Sequence, residues 1–181
     1  MLALCRRLVA AHNSLRDGYW LLDRKRQAGT QLQGKTLGLV GLGRVGAVVA
    51  ARALAFGMTV LATDPYLPDD ALIDERVLLV GLRELLSRSD IVSLHVPATA
   101  ATRGLLSAET IAQMKPGARL INTAHGSIID EAALAAALKD GRLAGAAVDV
   151  FHEEPPYNSP LVGLENVIHT PHIGDNTVEA S

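Results

Sequence analysis

Two short apolar runs on either side of a glycine-rich loop constrain this chain more than any other feature. Thr36 to Val40 is apolar, and Gly41-Leu42-Gly43-Arg44-Val45-Gly46 follows as G-x-G-x-x-G. A helical pattern comes next, then a second apolar run, Met58 to Ala62, that stops on Asp64. A lone G-x-G-x-x-G is a weak signal. Here a strand precedes it, a helix follows, and an acid closes the next strand, which is the context a dinucleotide turn requires. Gly41 allows the tight turn, Gly43 lets backbone approach a pyrophosphate, and Gly46 lets helix and strand pack closely. The free amides and positive dipole end of a helix start suit phosphate. Asp64 lies 18 positions beyond Gly46, where a carboxylate accepts from the ribose hydroxyls and repels a 2′-phosphate. NAD rather than NADP is therefore expected. The plain alternative is a tight turn without a ligand and a surface aspartate.

The 181 residues suffice for one domain with a sizeable core. With 49% hydrophobic residues and a net charge of −2, the composition is that of a soluble globular protein. It offers no basic surplus for nucleic acid and no apolar stretch long enough for a membrane. Cys5 is the single cysteine, so an intrachain disulfide or C-x-x-C site is excluded, and a cytoplasmic setting fits. The opening MLALCRRLVAAH is broken by Arg6 and Arg7 and lacks the apolar core of a signal peptide.

Leu4, Leu8, Ala11 and Leu15 recur at helical spacing and predict one amphipathic helix over residues 2–15. Its apolar face, continued by Tyr19 to Leu22, packs either on its own domain or on a partner. Residues 23–34 read as a connector. The helix after Gly43 is expected to bury Val45, Val48, Val49, Ala53 and Phe56 and to stop at Gly57. Further strands are expected at 77–80, 90–96, 118–122, 144–148 and 166–169. Further helices are expected at 82–87, 107–114 (capped by Ser107) and 130–139 (capped by Asp130). Alternating strands and helices imply an α/β fold, a doubly wound parallel sheet with right-handed crossovers. Ligands of such sheets sit beyond the carboxyl ends of the strands. The glycine loop, Asp64, His95-Val96-Pro97, Thr123-Ala124-His125, Asp149 and His172 all follow strands, and so share one rim.

GLGRVG, ATDP, DIVSLHVPATAATRGLLS, LINTAHGSIIDEAAL, AAVDVFHEEPP and TPHIG occur in that order. Together they resemble the NAD-binding domain of the D-isomer-specific 2-hydroxyacid dehydrogenases, with a phosphoglycerate-dehydrogenase-like character. The resemblance covers nearly the whole chain. It implies a Rossmann-type domain over residues 30–175, preceded by a dimerisation helix and connector (1–29) and followed by the start of a further helix (176–181). It also implies that His172 exchanges the substrate's hydroxyl proton. Glu154 would hold its imidazole, with Glu153 the weaker candidate. Gly41, Gly43, Arg44, Val45 and Gly46 would meet the pyrophosphate, with His95, Val96 and Pro97 along the adenine side. Thr102 would reach a phosphate oxygen, and Thr123, Ala124 and His125 would line the nicotinamide ribose. Asp149 would accept from the carboxamide, and Gly174 belongs to the same group. No metal is implied. Leu4, Leu8, Leu15, Trp20 and Leu22 would meet the partner of a homodimer. His12 and His169 carry no motif.

Two departures stand out. His125 occupies the place where the family pattern has the arginine that grips the substrate carboxylate, so weak or shifted activity on a 2-hydroxyacid is expected. The substrate domain is also absent from the sequence, so NAD binding with little turnover is expected of the chain alone. Two other readings stand beside the dehydrogenase. One is an NAD-responsive binding module of the corepressor kind; the other is a chain with no present role.

Overall fold

The structure, a computed structural model, describes residues 1–20, 28–68, 71 and 73–179. Among these, seven parallel strands form one sheet in the order β3-β2-β1-β4-β5-β6-β7. They are β1 (Thr36–Val40), β2 (Thr59–Thr63), β3 (Val77–Leu79), β4 (Ile91–Leu94), β5 (Arg119–Asn122), β6 (Gly145–Val148) and β7 (Val167–His169). The helices are α1 (Leu2–Cys5), α2 (Leu8–Arg16), α3 (Arg44–Ala55), α4 (Leu82–Arg88), α5 (Ala108–Ala112) and α6 (Glu131–Lys139). The doubly wound architecture expected from the alternating pattern is the one observed. Chain order reverses between β1 and β4, which opens the crevice at the carboxyl ends of those two strands.

The central strands are buried on both faces, which is why they read as unbroken apolar runs. Alternate residues feed two cores. Val92, Leu94 and Leu120 pack with α4, α5 and α6, while Leu37, Leu39 and Ile121 pack with α1 and α3. Ser107 closes a capping box with Thr110, and Asp130 accepts from the Ala133 amide, as the sequence leads one to expect.

Three local expectations change. α3 turns Gly46, Ala50 and Ala53 to the sheet and leaves Val45, Val48 and Phe56 exposed. A Cβ on Gly46 would overlap the Gly41 carbonyl, so this helix lies too close to the sheet for large side chains on its inner face. Residues 2–15 form two helices, because Arg7 adopts left-handed backbone at φ +52°. The break lets Leu4 and Cys5 enter the core, where the Cys5 carbonyl accepts from the Thr30 amide. α2 has no buried residue. Leu4 therefore belongs to its own domain and not to an outer surface, and Leu22 lies outside the described residues. Finally, residues 177–179 form a bend and turn where a helix start was expected.

Candidate functional site

The site is built where β1 passes into α3. Gly41 has φ +96°, a left-handed value that favours glycine, and a Cβ there would stand 2.7 Å from the His95 carbonyl oxygen. Gly43 is extended and makes no side-chain cap, so the amides of Arg44, Val45 and Gly46 open a 12-residue helix without a capping side chain. A Cβ on Gly43 would meet nothing within 4 Å, so open space adjoins the start of the helix. This is a cradle fitted to a phosphate. Asp64 turns toward it: one carboxylate oxygen accepts from the Leu42 amide at 2.9 Å, the other from the Tyr66 amide at 3.0 Å. Ala62 to Pro65 and Leu79 to Gly81 line an adjoining cavity of about 350 Å³.

His95, Val96 and Pro97 follow β4 directly beside the glycine turn. The His95 amide donates to the Val40 carbonyl, and its Nε2 lies 3.0 Å from the Ser93 hydroxyl. Burial holds the His95 imidazole below the ordinary histidine range. The Thr102 hydroxyl is engaged locally, donating to the Pro97 carbonyl at 2.5 Å and accepting from the Thr99 amide at 2.8 Å. Its expected reach to a phosphate thus competes with bonds inside its own loop.

Thr123, Ala124 and His125 follow β5, and Thr123 and His125 are exposed. Buried Asn122 shapes this segment: its Oδ1 accepts from the Ala124 amide and its Nδ2 donates to the His125 carbonyl. Gly126 then opens a 3₁₀ turn pressed against the backbone of Phe151. The contact joins the His125 loop to the segment carrying Glu154.

His172 Nδ1 and Glu154 Oε2 lie 2.8 Å apart, and the other Glu154 oxygen accepts from the Phe151 amide. Glu154, and not Glu153, therefore meets the histidine. The hydrogen bond and charge of Glu154 raise His172 above the ordinary histidine range, helped by Asp149 and Asp175. The same hydrogen bond, with that from Phe151, lowers Glu154. Both side chains are accessible, at 55% and 38% exposed. Asp149, by contrast, is buried. Its carboxylate accepts from the Thr170 hydroxyl at 2.5 Å, the Ile173 amide at 3.0 Å and the Gly174 amide at 2.7 Å.

Several supporting residues escape a reading of the sequence. Asn122 ends a strand and could have been noticed as a polar residue in a buried run. Glu131 reads only as a first-turn acid, yet its carboxylate accepts from the His152 amide and the Ser159 hydroxyl and so moors the 152–159 loop. No local signal announces either contact. Among the described residues, no group of three or more histidine, cysteine or acidic side chains could hold a metal, and no helix is long and apolar enough to cross a membrane.

A parallel sheet whose switch point holds a glycine-rich turn, with an acid that closes the next strand bonded to that turn, defines a dinucleotide-binding domain of the Rossmann kind. Residues 1–174 match the family model for D-isomer specific 2-hydroxyacid dehydrogenase, NAD binding domain. The chain belongs to that family and is its NAD-binding domain. It is 50% identical over 181 residues to a D-3-phosphoglycerate dehydrogenase of Methanocaldococcus jannaschii, covering 99% of this chain and 34% of that protein. Against the Bacillus subtilis D-3-phosphoglycerate dehydrogenase it is 48% identical over 183 residues, covering 98% and 34%. The D-lactate dehydrogenase of Aquifex aeolicus, solved with NAD and lactic acid, matches with TM-score 0.90 and 36% identity over 99% of this chain and 58% of that one. The chain thus spans about a third of the curated relatives it matches.

Proposed function

We propose that this domain serves an NAD-dependent oxidoreductase of D-2-hydroxyacids, phosphoglycerate-like in its substrate, with His172 as acid–base and Glu154 as its partner. The observation that carries the reading is the 2.8 Å contact between these two side chains, on the same rim as the glycine cradle. Glu154 engages Nδ1, which leaves Nε2 to exchange a proton with a substrate hydroxyl. Bound NAD would take the hydride from the carbon of the 2-hydroxyacid as the hydroxyl proton passes to His172 Nε2, leaving a 2-oxoacid. The relatives named above are dehydrogenases, which favours this reading over a corepressor-type module. Calorimetric titration with NADH, followed by assay of the complete protein with and without His172, tests it. An absence of NADH binding, or full turnover without His172, would overturn it.

Asp64 is assigned to the adenosine ribose. Asp64→Ala is expected to weaken NADH binding by about 1.5–3 kcal/mol, the range for hydrogen bonds to a charged group, and to narrow the preference over NADPH. Parallel titrations with the two dinucleotides read both effects. Equal losses for both would remove Asp64 from the selectivity role.

His125 is assigned to the substrate carboxylate. An arginine grips a carboxylate with two parallel donors and a permanent charge, and an imidazole offers one donor from each nitrogen. His125→Arg in the complete protein is expected to lower KM for the 2-hydroxyacid roughly tenfold or more, the equivalent of about 1.5 kcal/mol. An unchanged KM would exclude the anchor role.

We further propose a cytoplasmic homodimer with no nucleic-acid partner. α2 has no fully buried residue, and Leu8, Leu15 and Trp20 are 54%, 58% and 76% exposed. Such a helix gains stability by covering that face with a second copy. Leu8→Asp with Leu15→Asp is expected to shift the sedimentation profile from dimer to monomer while NADH binding persists.

A further inference from the structure

The histidine proposed as acid–base stands on unusual backbone. His172 has φ +53°, one of two such non-glycine residues among those described. Left-handed backbone at a residue with a Cβ persists where its surroundings over-determine it. What over-determines it here is one residue at the end of β6. The Asp149 carbonyl accepts from the His172 amide at 2.9 Å. The Asp149 carboxylate takes the Thr170 hydroxyl before the histidine and the Ile173 and Gly174 amides after it. Asp149 thus grips the segment on both sides of His172 and at its centre. Gly174 completes the arrangement, because a Cβ there would stand 2.9 Å from the carboxylate.

We infer that Asp149 is a positioning residue for His172, its buried carboxylate clamping the 170–174 turn so that the imidazole stays against Glu154. The inference rests on the acid–base reading of His172. It is a second role beside the carboxamide-acceptor one that the family resemblance implies for Asp149, because a carboxylate has about four acceptor sites and three are filled by the turn. Two observations support the clamp. Three donors already occupy the carboxylate, and the residue is 5% exposed. Burial alone would raise its pKa, yet the Thr170 hydroxyl and the two amides outweigh that and hold it below the ordinary aspartate range, so the clamp is charged at neutral pH. That charge also favours the protonated form of His172, together with Glu154 and Asp175, the other acids facing the ring.

Asp149→Asn preserves shape and removes the charge. Thr170→Val removes one donor, and Thr170→Ser keeps it. Three readouts separate the possibilities. The His172 titration midpoint by NMR is expected to fall in Asp149→Asn, with the Ile173 and Gly174 amide resonances displaced. Thr170→Val should also displace these resonances, and Thr170→Ser should leave midpoint and resonances near wild type. In the complete protein, kcat is expected to fall at least tenfold in Asp149→Asn. ADP-ribose lacks the nicotinamide, so a loss of affinity confined to NAD, with the His172 midpoint and neighbouring amides unmoved, would overturn the clamp in favour of carboxamide contact. If Asp149→Asn does not fold, Thr170→Val against Thr170→Ser carries the test alone, and indistinguishable amide resonances in that pair would overturn the inference. Should His172→Gln keep full turnover while these resonances still respond, the acid–base reading fails and the clamp geometry stands.

Discussion

Gly126→Ala is expected to lower the melting temperature by roughly 6–12 °C and to separate His172 from Glu154. The glycine is buried where the 3₁₀ turn after His125 meets the next strand's exit, and an added Cβ would overlap the Phe151 carbonyl group and crowd the His152 nitrogen. These are backbone atoms, which cannot swing aside as the tip of a long side chain can. Relief requires the Phe151 segment to move, and that segment holds Glu154 through the Phe151 amide and is moored to Glu131 through the His152 amide. Overpacking a tight interior costs about 3 kcal/mol at the upper end of its usual range, and for a domain of this length each kcal/mol corresponds to about 2–4 °C. Thermal unfolding followed by circular dichroism measures the first effect, and the His172 titration measures the second. A melting point within about 2 °C of wild type would show that the two loops are not locked together.

The larger effect on catalysis is expected at His172, the proposed acid–base. His172→Gln in the complete protein is expected to reduce kcat by roughly a hundred- to ten-thousand-fold, the range for a positioned acid–base group, with NADH affinity little changed. The pH dependence has a definite sign. On the proposed role of His172, oxidation of a hydroxyacid needs the imidazole free of its proton, so its rate is expected to rise as pH climbs through the His172 pKa. Reduction of the oxoacid needs the proton in place, so its rate falls across the same interval. Glu154 is the main cause that lifts this interval above the ordinary histidine value of 6.5. Glu154→Gln should therefore move both limbs to lower pH. Profiles of kcat in the two directions measure the displacement. Limbs that stay in place would show that Glu154 does not govern the proton.

The strands and the cofactor cradle were legible because their signals are local. An apolar run bounded by turns identifies a strand buried on both faces, and G-x-G-x-x-G between strand and helix needs nothing from the rest of the chain. The inner face of α3 was legible only in part, at Ala53. Apolarity also favours Val45, Val48 and Phe56, and the close approach at Gly46 instead selects Ala50 beside Ala53. The break at Arg7 was equally hidden, since helical periodicity continues across it while Leu4 and Cys5 turn inward. At the site, the residues that follow strands could be listed from the alternating pattern, and His172 and Glu154 came from the family resemblance. Their supports could not be read. Asp149 meets Thr170 across 21 positions and Glu131 meets Ser159 across 28, and no spacing rule encodes such contacts.

Because all seven strands run the same way, the molecule has two unlike ends. One gathers the glycine loop with Asp64, His95, His125, Asp149, Glu154 and His172. The other carries the turns at 115–118 and 140–144, which lead into β5 and β6. Lengthened loops, attached dyes or an immobilising linker placed at that far end would leave the chemistry undisturbed, and the same freedom is open to natural insertions.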